Sequence, residues 1–143
     1  MDRERIAAGT GIVACLLLVG LAALPYAFGR PSVIRPYYAG AIGGPPLVAL
    51  FGAVEAIVLL AALRRRSDPA ALAGAAVVLG TFGAILAWWW ALGTTPALVG
   101  GFTRIDAFRF HPWAVGLAAL GAALAAGWYA RIVAAPDQAE RPL

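Results

Sequence analysis

In the stretch VALFGAVEAIVLLAAL, residues 48–63, a single carboxylate, Glu55, stands in a run of otherwise apolar side chains. A run of that composition suits hydrocarbon, and an ionisable residue within a membrane span marks a functional site by default. Counting helical rise inward from Arg64 puts Glu55 about 13 Å into the core, near its midplane. Cys15, Thr81 and Gly121 come out at similar depths from their own flanks, and no basic residue shares that layer. An ionised carboxylate without a partner there is very costly. The expected form is therefore protonated, donating a hydrogen bond to Thr81 Oγ1 or to a backbone carbonyl opposite Gly80. Glu55 and Thr81 form the candidate intramembrane polar site. Such a group can bind a cation, carry a proton, or tie two helices together. Gly52, one turn away, would let a partner helix come close over the carboxyl. A proton or ion pathway normally needs a second polar station, and none stands along either exit.

The other reactive groups are few. One Cys and one His exclude an internal disulfide, a Cys/His zinc site and, within one chain, bis-His haem ligation. Cys15 reads as a small buried packing residue. Ser32 and Ser67 are the two serines and both lie outside the apolar runs, so a Ser/His intramembrane hydrolase lacks material. No glycine-rich phosphate loop followed by Lys and Ser or Thr is present. No metal and no cofactor are expected, and a non-enzymatic role is favoured.

A second polar set lies in two connecting segments, GRPSVIRPYYAGAIGGPP and GTTPALVGGFTRIDAFRFHPW. Arg30, Arg35, Arg104, Arg109 and His111 make a candidate basic rim that could hold lipid phosphates, an anionic ligand or an acidic partner. The plainer reading is that these arginines bind headgroups without a specific ligand. His111, beside Pro112 and Trp113, reads as an interfacial capping residue. Phe102, Ile105 and Phe108 fall at helical spacing with Asp106 and Arg109 on the polar side. That pattern predicts a short helix lying in the interface.

The elements that position these groups follow from composition. The chain has 143 residues, 62% hydrophobic and only 13% charged, against about 25% charged in soluble domains. Four apolar runs, 6–28, 47–63, 70–92 and 113–132, each reach the roughly 17–25 residues that cross a bilayer as a helix. Helices satisfy their own backbone groups in lipid, and the period-2 alternation of a barrel strand is missing. Pro45 and Pro46 suit the first turn of the second helix, and Ser67 to Pro69 a cap and first turn of the third. The expected fold is an all-α integral membrane four-helix bundle, one domain, with a short polar tail over 133–143.

Arginine placement sets the expected orientation. Arg3, Arg5, Arg64, Arg65, Arg66, Arg131 and Arg141 fall on one side, and Arg30, Arg35, Arg104 and Arg109 on the other. The bias places both termini in the cytoplasm. Tyr26, Trp88, Trp89, Trp90 and Trp113 would mark the outer interface, and Trp128 with Tyr129 the inner one. The start of the chain could also be a signal peptide, since IVAC, residues 12–15, resembles a lipoprotein cleavage box. The apolar run continues well past Cys15, however, so a retained transmembrane helix is expected. A pI near 10.0 could suggest nucleic acid, but the arginines flank apolar runs and form no stripe, so none is expected.

Small residues recur on every span: Ala118, Ala122 and Ala126; Gly52 and Ala56; Gly80, Gly83 and Ala84. They let helices approach closely, either to close the bundle or to bind a membrane-protein partner or a second copy. The segments DPAALAGAAVVLG, HPW and GWYAR in spans three and four resemble small four-helix membrane proteins of unknown function from halophilic archaea. That likeness covers about half the chain. It implies the four-span fold and no activity. The function expected is that of a non-enzymatic accessory, scaffolding or assembly subunit in the cell membrane. The alternative is a small oligomeric transporter or channel using Glu55 for a proton or cation.

Overall fold

The computed structural model describes residues 2–39, 42–65 and 67–135. Arg66 and Arg141, two of the arginines that bear on orientation, and residues 136–143 of the expected tail lie outside the described residues. Seven α-helices and one short 3₁₀ turn are described, with no strand among the described residues. They are α1 (Asp2–Ala23), α2 (Pro25–Phe28), α3 (Pro31–Tyr38), α4 (Gly44–Leu63), α5 (Pro69–Gly93), α6 (Pro96–Phe102), the 3₁₀ turn Asp106–Phe110 and α7 (His111–Ala134). Four helical stretches are long and apolar enough to cross a membrane: Arg3–Phe28, Gly44–Leu63, Pro69–Gly93 and Asp106–Ala134.

Proline and glycine punctuate these helices. Pro25 lacks an N–H and breaks α1 from α2, and the ladder shortens there to a Leu24 N–H to Leu21 carbonyl bond of 3.2 Å. The GGPP segment starts α4 three residues ahead of its apolar run. Gly43 (φ 75°) and Gly44 (φ 50°) take left-handed conformations, and the Tyr38 carbonyl lies where a Gly44 side chain would be. Asp68 caps α5 ahead of Pro69, accepting from the Ala71 N–H at 2.9 Å. At the end of α4 the left-handed Arg65 (φ 49°) turns the chain back.

The four long helices pack as a ring in which α1 and α5 each lie against both α4 and α7. The small-residue faces close this ring. Ala118, Ala119, Ala122, Ala125 and Ala126 of α7 are buried, as are Ala73, Ala76, Gly80, Gly83, Ala84 and Ala87 of α5. A Cβ on Gly80 would stand 2.9 Å from Ala123 Cα, so α5 and α7 touch backbone to backbone there. Outward faces carry Val13, Leu16, Ile57, Phe82, Ile85, Leu117 and Leu124, all exposed. The long helices are thus apolar on both faces, which is compatible with a membrane location.

The interior divides into two apolar clusters. One, at the end where α1 begins and α7 finishes, gathers Ala7, Ala8, Leu59, Ala73, Ala76, Ala126 and Tyr129. The other, at the opposite end, gathers Leu18, Val48, Ala87, Trp90 and Val115 with the connecting segments. These are called here the terminal end and the capped end.

The connecting segments depart from expectation. No single helix runs through Phe102, Ile105 and Phe108. Helix α6 stops at Phe102, Thr103 is extended (φ −153°), and its hydroxyl accepts from the Ile105 N–H at 3.2 Å. The 3₁₀ turn begins only after that break. Phe102 and Phe108 are buried while Ile105 is exposed, so the two rings enter the core from separate elements. Two of the expected interfacial aromatics are also interior. Trp90 is fully buried and Tyr129 nearly so, because a 100° step per residue turns them away from their exposed neighbours Trp89 and Trp128. Trp88 packs edge-on against Trp113 at 5.8 Å.

Candidate functional site

Between the two clusters lies the layer that holds Glu55. Gly52, Glu55 and Leu59 share the buried face of α4, so helical spacing aims the carboxyl into the ring. Glu55 is 1% exposed. Cys15 from α1 is fully buried beside it, and its thiol donates a hydrogen bond to the Glu55 carboxyl. Oε1 points at the α5–α7 seam, 3.0 Å from where a Cβ on Gly80 would stand. It is the buried side-chain oxygen left without a hydrogen-bond partner among the described residues.

Thr81 does not take part. It is exposed on the outer face of α5, and its neighbour Gly80 occupies the inward position. The depth inferred for Thr81 agrees with that of Glu55, but one residue of helical phase rotates it away. Gly121 also faces open space. Cys15 is the member of that layer that meets Glu55, and it is a hydrogen-bonding partner as well as a packing residue. A cluster of three or more His, Cys, Asp or Glu able to hold a metal is absent among the described residues.

A second polar constellation closes the capped end. His111, 5% exposed, begins α7 beneath the connecting segments. Its Nε2 lies 2.8 Å from the Leu21 carbonyl and its Nδ1 lies 2.8 Å from the Tyr37 hydroxyl. Tyr38 donates to the Ala22 carbonyl at 2.6 Å, and Trp90 Nε1–H donates to the Tyr37 carbonyl at 3.3 Å. The Tyr37 ring stacks on Phe102 at 5.1 Å and meets Trp90 edge-on at 5.5 Å. Burial pushes both tyrosine hydroxyls well above their ordinary pKa. This arrangement ties α3, α6 and the 3₁₀ turn to α1, α5 and α7, and each ring pair adds on the order of 0.5–1.5 kcal/mol beyond area burial. His111 is therefore interior and no part of an exposed rim. The sequence carried a usable signal: Ile34, Tyr37 and Tyr38 stand at i, i+3 and i+4 after Pro31, the mark of a short helix with one buried face.

The four rim arginines are exposed at the capped end but do not all line one groove. Arg35 lines a groove of about 660 Å³ with Tyr26, Tyr38 and Pro46. Arg104 and Arg109 line another, of about 380 Å³, together with Asp106. Arg109 also lies over the Phe110 ring, 4.7 Å from its centre.

The described residues define an all-helical protein with four helices of membrane-crossing length around one buried carboxyl. The chain belongs to a family of unknown function, DUF7548, which matches residues 1–134. No curated protein and no solved structure matches it.

Proposed function

We propose that this is a multi-pass membrane protein with both termini in the cytoplasm that serves, without catalysis, as an accessory or assembly subunit. Its likeness to small membrane proteins of halophilic archaea is part of that reading. The observation that carries it is the closed interior. The small-residue faces are spent on internal packing, Glu55 is sealed within the ring, and polar groups of the capped end bond to one another. What remains for function is the outer surface: apolar helix faces and arginine-bearing grooves at both ends of the bundle.

Native purification from source membranes in mild detergent tests the role, with the mass of the intact particle as readout. A stoichiometric second protein is the expected result, and a homo-oligomer alone would overturn it. Orientation is tested in a Cys15→Ala background with an impermeant maleimide. Ser32→Cys should label from outside and Ser67→Cys only after permeabilisation; the reverse would invert the topology.

A second reading, a small oligomeric transporter, is favoured by the unpartnered Glu55 Oε1, since a proton or cation could supply the missing partner. Liposome flux that is present in the wild type and lost in Glu55→Met would establish that reading instead.

A further inference from the structure

At the terminal end, a groove of about 860 Å³ runs along the outer face of α7. Its volume lies within the roughly 300–1,000 Å³ typical of ligand clefts. Ala123, Gly127 and Arg131 line it at intervals of four, one stripe of the helix. Leu124 and Trp128 stand beside that stripe, Val77 is contributed by α5, and Arg3 by α1. A Cβ on Gly127 would meet nothing within 4 Å, so the floor is open.

The lining is sorted by depth. Arg3 and Arg131 lie at the shallow end, near the helix termini, with the half-exposed Trp128 one turn in. Below them the lining is apolar. From Arg131 to Ala123 is eight helical positions, about 12 Å, and Val77 lies equally far from the start of α5. One leaflet of a hydrocarbon core about 30 Å thick has nearly that depth. Two guanidinium groups at the polar boundary above an apolar trough one leaflet deep match a single amphiphile with an anionic head. A second copy of the chain docking by the same face would bring these arginines toward their own equivalents. A soluble acidic segment would leave the apolar depth unfilled.

We infer that this groove is a binding site for one anionic phospholipid, its phosphate held between Arg3 and Arg131 and one acyl chain laid along Gly127, Ala123 and Val77. The inference needs the chain to span a membrane and does not depend on the accessory role. Arginine presents a planar fork that pairs with phosphate oxygens, and the interfacial indole suits the headgroup level.

Native mass spectrometry of the detergent-purified protein, given equal amounts of palmitoyl-oleoyl phosphatidylglycerol and phosphatidylcholine, tests it. One phosphatidylglycerol per chain should be retained in preference to phosphatidylcholine by a factor on the order of ten to thirty, the size two basic contacts near a membrane surface give. Arg3→Gln with Arg131→Gln should bring that preference close to one. Gly127→Leu, which enters open space, should displace both lipids. Helical circular dichroism and a thermal midpoint near wild type establish that each variant is folded. Inorganic phosphate at millimolar concentration should not compete. Equal retention of the two lipids by the wild type, unchanged preference in the double variant, or displacement by phosphate alone would each overturn the proposal. Alkaline carbonate extraction separates it from the membrane reading: release of the chain from the membrane would overturn that reading itself.

Discussion

Tyr37 and His111, 74 positions apart in the chain, meet at 2.8 Å between the phenol oxygen and Nδ1. The Leu21 carbonyl, 2.8 Å from Nε2, can only accept, so Nε2 carries a proton. In the neutral imidazole Nδ1 is then the acceptor and the Tyr37 hydroxyl donates to it. One hydrogen-bonded chain thus runs from α3 through the first residue of α7 to α1. It joins the capped-end layer to the bundle below it.

Tyr37→Phe keeps the ring stack on Phe102 and removes the donor to a buried nitrogen. The expected cost is about 1–3 kcal/mol, read as a lower unfolding midpoint in detergent. Tyr37→Phe combined with His111→Phe should cost less than the sum of the single changes, by at least about 0.5 kcal/mol. Strict additivity would show that the two residues do not act as a pair.

Gly80 and Gly121 separate close packing from mere glycine content. A Cβ at Gly80 would come within 2.9 Å of Ala123 Cα, whereas one at Gly121 meets nothing within 4 Å. Gly80→Ala should therefore destabilise by about 1–3 kcal/mol through overpacking of a backbone contact. Gly121→Ala should be neutral or stabilise by up to about 1 kcal/mol through helix propensity. Thermal midpoints of the two variants measured side by side decide it, and equal effects would mean that α5 and α7 are not seated at Gly80.

The long helices were legible in the sequence because apolar runs of sufficient length and few charges need no partner to be recognised. Phase was not. Leu59 and Leu60 look alike in sequence, yet one is fully buried and the other exposed, because apolar residues stand on both the outward and the core-facing sides of these helices. The same ambiguity placed Thr81 at the right depth and on the wrong face. It also assigned Trp90 and Tyr129 to an interface, whereas both side chains are buried within the bundle. The capped end was misread for another reason. Local spacing suggested one helix through Phe102 and Phe108, whereas ring contacts to distant residues, Tyr37 for Phe102 and Phe28 for Phe108, decide where each phenyl group goes. His111 looked exposed beside a boundary tryptophan, and only the tertiary partners Tyr37 and Leu21 draw it inside.

Glu55 supplies the sharpest remaining test, because its two contacts pull in opposite directions. The thiol of Cys15 donates to its carboxyl, a weak bond from sulfur, while Oε1 faces Gly80 and Ala123 without a partner. If the residue is only an interhelical tie, removing the polar group relieves a desolvation cost larger than the bond it forfeits. Glu55→Met has similar length and no group to satisfy, so it should leave stability unchanged or raise it by about 1–2 kcal/mol. Glu55→Gln keeps an acceptor for Cys15 but turns an amide toward a seam with no described acceptor, and it should be the less stable of the two. The order expected from thermal unfolding is therefore Met at or above Glu, and Gln below Met. A loss of more than about 2 kcal/mol in Glu55→Met would contradict this, since buried polar groups become that costly to remove only when they are fully paired. Oε1 would then have a partner that the described residues do not supply.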